Sequence, residues 1–336
     1  MNDSVVKILN NSLKKALKEN PRVIILGEDI VDPYGGAFKV TRGLSTEFPE
    51  RVITTPISEA SIIGIAAGMA LKGLQPIVEI MFGDFITLGA DQIINHIAKY
   101  RWMYNDKVQI PLVIRTPMGG GKGYGPTHSQ SLEKIYMGVP GIRIIAINRL
   151  IDPGLLLENA IEVLEPVIFI ENKQIYPQKL ITPEDKVIGE FSFSIFGKKF
   201  PTAVISTDKK SMPDVTIVTY GGILDKVLEA AYQVLIDKEW ITEIILLSHI
   251  KPFPIAPIID SVSKSRRLIT VEEGTPSFGW GREIVYQVLN KINSLSSKPL
   301  CVGAKGYPIA NTKVLEDAIL PQNMDILNAV RSSILS

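Results

Sequence analysis

The chain has 336 residues, enough for two domains that each bury a core of their own. Its 36 lysines and arginines nearly cancel its 35 aspartates and glutamates, so no strong net field favours nucleic acid or a charged membrane surface as partner. The single cysteine, Cys301, excludes an internal disulfide framework and a CxxC-type zinc site. With no basic leader and no membrane-length apolar run, the expectation is a soluble cytoplasmic protein.

In chain order, a helix is predicted over residues 5–20 and a buried strand over 23–26, followed by a helix at 58–72 and a strand at 76–80. Next come a helix at 86–104, a strand at 112–114, a helix at 130–137 and a strand at 142–147. A helix at 153–164, started by Asp152-Pro153, and a strand at 167–170 close the first half. Short Val/Ile runs alternating with helices are the pattern of a parallel sheet. From 176 to 212 the periodicity fades into Tyr-Pro, Thr-Pro-Glu-Asp and Phe-Gly-Lys-Lys punctuation with a few strand-like pieces. A second alternating set begins at 215: strands at 215–220, 243–247, 267–272 and 299–303, helices at 223–237, 255–264 and 280–292, and a helical tail. The expected fold is α/β with two doubly wound domains, residues 1–190 and 211–336, joined by a linker at 191–210.

Glu59 is an acid at the mouth of an apolar helix. Ser58 is placed to cap that helix, and Gly64, Ala66, Ala67, Gly68 and Ala70 suit deep packing against backbone. Two readings stand: a carboxylate beside a buried cleft, or a solvated first-turn residue favoured by the helix dipole. The loop from Pro117 to Ser131 follows a strand, where open α/β sheets bind ligands. It is glycine-rich, yet it has neither the P-loop lysine-serine/threonine pair nor GxGxxG spacing. It suits a segment that orders on assembly or ligand binding, or a mobile surface loop. His128, one of three histidines, stands at its exit, where an imidazole can exchange protons near neutral pH. His96 reads as a helical surface or packing residue and His249 as a strand-end residue. Phe82 and Phe85 follow a strand end and suit stacking on a flat heterocycle or filling of the core. Glu28-Asp29 brings acid to the same edge or faces water there.

Together, Ile25-Leu-Gly-Glu-Asp29, Gly-Gly-Ala-Phe-Lys-Val-Thr-Arg-Gly-Leu (35–44), Thr-Pro-Ile-Ser-Glu (55–59), Asp-Gln-Ile-Ile-Asn (91–95), Thr-His-Ser-Gln-Ser (127–131) and Val-Pro-Gly (139–141) resemble the beta subunit of the thiamine-diphosphate-dependent 2-oxoacid dehydrogenases. The resemblance continues through Thr-Val-Glu-Glu-Gly (270–274), Gly-Trp-Gly-Arg-Glu-Ile (279–284) and Val-Leu-Glu-Asp-Ala-Ile-Leu-Pro (314–321). It implies a pyrimidine-binding domain followed by a transketolase-type C-terminal domain, in an assembly of two alpha and two beta chains. It also implies oxidative decarboxylation of a 2-oxoacid, of pyruvate or branched-chain type, with acyl transfer to lipoyl. By that resemblance Glu59 hydrogen-bonds the aminopyrimidine ring nitrogen, Phe85 stacks on the ring and His128 faces the reacting carbon. Glu28, on the same sheet edge, joins the cofactor-binding set. A potassium ion held largely by main-chain oxygens maps to Leu112, Ala160, Ile161, Val163 and Glu165, with Val163 standing where relatives often have Asp.

Magnesium-diphosphate sites of this kind use a Gly-Asp-Gly segment followed by asparagines, and this chain has only Gly83-Asp84-Phe85. The alpha subunit is therefore expected to bring Mg2+ and to complete the site. Relatives commonly carry an acidic Gly-Ala-Asp-Val-Pro stretch near the surface that docks the lipoyl acyltransferase core, whereas this chain reads Gly303-Ala-Lys-Gly-Tyr-Pro308. Two rival functions follow: a two-chain thiamine enzyme that passes an acyl or ketol unit to a non-lipoyl acceptor, and a non-catalytic assembly subunit.

Overall fold

In a computed structural model that describes residues 3–182, 191–208 and 211–336, the Val/Ile runs become strands buried on both faces. Two units divide the chain: Met1–Met118 with Ile135–Leu180, and Gly119–Lys134 with Ile181–Ser336. The transfer of 119–134 to the second unit sets apart the loop that bears His128.

The first unit contains β1 (Val23–Gly27), β2 (Val52–Thr54), β3 (Gln75–Glu79), β4 (Val113–Met118), β5 (Arg143–Ala146) and β6 (Val167–Asn172). They lie in the order β5-β6-β4-β3-β1-β2, all parallel. Register sets Ile25, Ile77, Val113 and Val167 in one row across the centre. Every residue of β3, β4 and β6 is buried, which is why these strands read as continuous rather than alternating apolar runs. Helices α1 (Val5–Glu19), α2 (Leu44–Glu47), α3 (Glu59–Leu71), α4 (Ala98–Met103), α5 (Lys134–Met137) and α6 (Pro153–Glu162) complete the elements of this stretch of chain. In α1, Val5, Leu9, Leu13 and Leu17 recur every four residues and are all fully buried, each worth about 1.5–3 kcal/mol of burial. Asp152 caps α6 as its sequence predicts, accepting from the Gly154 N–H at 2.8 Å with Pro153 in the first turn.

Several expectations fail for tertiary reasons. The helix expected over 86–104 is broken into a 3-10 segment (Phe85–Gly89), a π segment (Gln92–Ile97) and α4. At Gly89 a side chain would collide with Ile63 of α3, so close packing distorts this stretch. The helix expected over 130–137 is only the single turn α5. Ser58 stands at the cap position of α3, but its hydroxyl bonds Ser61 Oγ at 2.9 Å and caps no backbone group. Gly68 is exposed with nothing near it, so this side of α3 is not packed against backbone within the chain.

In the second unit, β7 (Ser192–Phe196), β8 (Thr202–Ser206), β9 (Val215–Tyr220), β10 (Thr242–Leu247), β11 (His249–Lys251), β12 (Leu268–Val271) and β13 (Leu300–Val302) follow in sequence. A six-stranded sheet takes the order β13-β12-β9-β10-β8-β7. Its β13, β12, β9 and β10 are parallel, while β8 and β7 add antiparallel at one edge. The segment 191–210, expected as a linker, thus carries a hairpin of this sheet; residues 183–190 and 209–210 lie outside the described residues. Helices α7 (Leu224–Lys238), α8 (Ile255–Ser265), α9 (Trp280–Leu289), α10 (Lys313–Ile319) and α11 (Asn323–Leu335) pack on this unit. Among the described residues no helix is long and apolar enough to cross a membrane.

Candidate active site

At the carboxyl edge of the first sheet, β1 ends at Gly27, where a Cβ would come within 2.8 Å of the Glu79 carbonyl oxygen. Only glycine lets β1 and β3 approach so closely. The chain then delivers Glu28 beside Glu59 of α3; the two are 7% and 5% exposed. Burial, then the neighbouring Glu59 and Asp29 charges, push the Glu28 carboxyl above the usual range. Its Oε1 is buried and accepts no hydrogen bond within the chain. A buried acceptor of this kind needs a donor. Glu59 is therefore not a solvated helix start.

Beside this edge lies an aromatic cluster. Phe82 and Phe85 meet edge to face at 6.0 Å, Phe38 meets Phe82 at 5.6 Å, and Phe38 lies 5.3 Å from Tyr176. Phe85 is half-buried, so part of its ring remains accessible. The buried Lys173 places Nζ 5.2 Å from the Phe82 ring centre. A donorless carboxylate oxygen and a partly open aromatic ring on one sheet edge suit a flat heterocycle carrying N–H groups.

Beneath the edge is a charged network with no counterpart in the sequence reasoning. Arg115 of β4 donates two hydrogen bonds to Glu171 of β6 at 2.6 and 2.7 Å and a third to Glu79 of β3 at 2.7 Å. Tyr176 donates to Glu171 at 2.6 Å. Burial by itself would lower the Arg115 pKa, but the two carboxylates hold it above its ordinary value. Burial dominates at Glu79 and pushes its carboxyl up. All three side chains are essentially excluded from water, so each depends on the others.

The glycine loop belongs to the second unit. Its ends close through the Gly119 N–H to the Gln130 carbonyl at 3.3 Å. Gly119, Gly121, Gly123 and Gly125 all have positive φ, alternating with residues that do not, and this turns backbone N–H groups to one side. Those groups are taken by carboxylates of the same unit. Glu316, fully buried in α10, accepts from Gly121 at 2.7 Å and Gly123 at 3.1 Å, while Glu273 accepts from Gly120 at 2.7 Å. At the loop's exit His128 is half-buried, its Nδ1 2.9 Å from Thr127 Oγ1. Just beyond it, buried Glu133 accepts from the Tyr220 hydroxyl. Glu272 accepts from the N–H groups of Trp280 and Gly281 at the start of α9, and burial raises its carboxyl to about 7.

The structure thus groups Glu28, Glu59 and Phe85 in the first unit and sets His128 on the second. The potassium set lies at the opposite, amino-terminal edge of the first sheet. The Leu112 carbonyl accepts from Val167 at 2.9 Å and that of Ile161 from Gln75 Nε2 at 3.3 Å, while Ala160 and Val163 stand at the end of α6. Glu165 pairs with Arg143 at 2.6 Å, which leaves main-chain oxygens as the donors there. Among the described residues no cluster of three His, Cys, Asp or Glu side chains could hold a metal ion. His96 is exposed beside Asp91, and His249 packs 5.2 Å from the Phe200 ring.

Two family models match in tandem: transketolase, pyrimidine binding domain, over residues 4–179, and transketolase, C-terminal domain, over 205–326. A solved structure titled a split gene transketolase, inactive beta4 tetramer, covers 100% of this chain and 99% of its own at TM-score 0.71, with 19% identity, a likeness of fold. These define a transketolase-type two-domain chain. Among curated proteins it is 36% identical to pyruvate dehydrogenase E1 component subunit beta-1, mitochondrial, of Arabidopsis thaliana, over 96% of this chain and 86% of that one. It is 34% identical to the corresponding beta subunit of Saccharomyces cerevisiae, over 98% and 88%. It is 33% identical to the acetoin:2,6-dichlorophenolindophenol oxidoreductase subunit beta of Cupriavidus necator, over 98% and 97%. The chain belongs to the family of thiamine-diphosphate-dependent dehydrogenase beta subunits typified by pyruvate dehydrogenase E1.

Proposed function

We propose that this chain is the beta subunit of a thiamine-diphosphate-dependent 2-oxoacid dehydrogenase, active with an alpha subunit in a complex of two alpha and two beta chains. The observation that carries the reading is the buried Glu28–Glu59 pair, with an acceptor that lacks a donor, beside the partly open ring of Phe85. These residues fit the aminopyrimidine half of the cofactor. Glu59 would accept the ring N–H, Glu28 would take a neighbouring donor, and Phe85 would pack on the ring face. When bound, thiamine diphosphate supplies the electron sink for decarboxylation. The chain's own part is to hold the ring, exclude water around the Glu59 carboxylate and so strengthen its hydrogen bond, and hold or move a proton at the His128 imidazole. Mg2+ and the diphosphate would fall to the alpha subunit, since this chain has only Gly83-Asp84-Phe85 in place of a Gly-Asp-Gly segment followed by asparagines. Main-chain oxygens at the end of α6, where the last carbonyls have no intrahelical partner, are the proposed potassium donors.

A second reading has specific support. One relative bears the name of an acetoin oxidoreductase subunit, and exposed Lys305 stands in the stretch whose acidic counterpart adjoins the docking surface in lipoyl-linked relatives. An acceptor other than lipoyl would then take the acyl unit. The test is to co-express the chain with its alpha subunit and assay pyruvate, branched-chain 2-oxoacids, acetoin and ketose phosphates with lipoamide and with dichlorophenolindophenol. Carbon dioxide release coupled to lipoamide reduction supports the first reading, and acetoin-dependent dye reduction without carbon dioxide the second. No turnover with any substrate, or an undiminished rate in Glu59→Ala, would leave a non-catalytic subunit.

A further inference from the structure

We propose that Glu316 is a positioning residue: its carboxylate is the built-in anion of the glycine loop and fixes the backbone that presents His128. The inference rests on the role given to His128 above. A run of alternating positive-φ residues makes a concave array of N–H groups, a shape that elsewhere binds phosphate. Here Glu316 fills it from 195 residues away in sequence, accepting from Gly121 and Gly123. The carboxylate is fully buried on α10, so the two amides are charge-assisted donors in a water-poor setting. The fit leaves little slack. A Cβ at Gly120 would come 3.3 Å from Glu316 Oε1 and 2.7 Å from Cδ1 of Leu320, the residue that ends the same helix. Glu273 holds the neighbouring Gly120 amide, and Ser131, just past His128, donates to the same Glu273 oxygen at 3.4 Å. The His128 amide in turn bonds the Gly125 carbonyl at 3.3 Å, so the imidazole hangs from backbone that these two carboxylates tie down. A glycine-rich stretch, with few side chains to pack, is thereby held by the domain that carries it.

Glu316→Gln is the informative change. It keeps size and one acceptor, but sets an NH2 group against a backbone donor. In the co-expressed complex, kcat is expected to fall by about 10- to 100-fold, the scale of a small displacement of a reacting group. KM and the apparent affinity for thiamine diphosphate should stay within about threefold, because Glu28, Glu59 and Phe85 belong to the other unit. Amide hydrogen exchange of the segment 119–130, measured in the same complex, should be slow in the native protein and markedly faster in the variant. Val330→Ala, which opens a void beside α11, serves as a control for loss of stability and should leave kcat and loop exchange unchanged. Native-like kcat and native-like exchange in Glu316→Gln would overturn the proposal, as would a matching loss of kcat in Val330→Ala. If the complex turns over none of the substrates, the functional reading fails, and the exchange comparison still decides whether Glu316 holds the loop.

Discussion

At Glu28 the chain keeps an ionisable group out of water, next to a second carboxylate and without a donor, and this has a thermodynamic consequence. A carboxyl whose folded pKa lies above its unfolded value destabilises the fold once pH exceeds both; the penalty disappears as both states protonate. Glu28→Gln should therefore melt at higher temperature than the native chain at neutral pH, with the gap closing on acidification. It should also bind thiamine diphosphate in the complex about tenfold more weakly, since one charge-assisted bond is lost. Calorimetry at several pH values, paired with cofactor titration, checks both. Glu272 is a stronger case of the same sign. Its carboxyl sits at about 7 rather than 4.5, so stability is lost as pH rises from about 4.5 through 7, by about 3 kcal/mol in all. Buried Glu133 works in the same direction and Lys134 against it. In Glu272→Gln, which cannot ionise but keeps only one of the two oxygens that accept from Trp280 and Gly281, that decline should be absent even if the variant melts lower throughout. Native and variant melting curves that run parallel from pH 5 to 8 would refute the assignment.

Among the elements, Arg115 ties β3, β4 and β6 together through Glu79 and Glu171. Removing the cation leaves two carboxylates buried and unpaired, so Arg115→Met should cost about 3–5 kcal/mol, measured as a fall in the urea midpoint. Changing Glu79 and Glu171 to Gln in the same chain should restore much of it, because the uncompensated charge, not the missing contact, carries the cost. This network was invisible in sequence, since Glu79, Arg115 and Glu171 are separated by dozens of residues and meet only through strand register. What was legible is local: the four-residue spacing of α1, the Asp152-Pro153 start of α6 and the unbroken apolar runs of the parallel strands. The distorted stretch from Phe85 to Met103 could not be read, because its irregularity accompanies the close approach of Gly89 to Ile63. Nor could the β7–β8 hairpin, whose edge strand Ser-Phe-Ser-Ile-Phe is largely exposed and lacks a buried run. Glu28 and Phe85 stood out as residues following strand ends, where ligand sites of parallel sheets gather, and Glu59 as an acid at the mouth of an apolar helix; the structure puts Glu28 beside Glu59. Glu316 and Glu273 were noticed only as parts of longer resemblances, since nothing local says that they reach a loop more than 150 residues earlier.

For the whole molecule, the question is what this chain can do by itself. On the proposed reading it offers a place for the heterocycle, while it has only Gly83-Asp84-Phe85 where a magnesium-diphosphate site uses Gly-Asp-Gly followed by asparagines. Association must first meet the cost of lost translational and rotational freedom, so a heterocycle edge without partners for the diphosphate gives weak affinity. Binding to the folded state raises stability in proportion to the logarithm of ligand concentration over Kd, about 2.7 kcal/mol at a hundredfold excess. Thiamine diphosphate with Mg2+ should therefore raise the melting temperature of the alpha–beta complex and leave that of the isolated chain unchanged at the same concentrations. The isolated chain should likewise release no carbon dioxide from any 2-oxoacid. In the complex, Glu59→Gln should reduce the cofactor-dependent rise by the worth of one charge-assisted hydrogen bond, about 1.5–3 kcal/mol of binding, if its carboxylate meets the ring as proposed. Full decarboxylation by the purified chain, or a cofactor-dependent rise in its melting temperature equal to that of the complex, would mean that it holds the whole site and that the division between two chains is wrong.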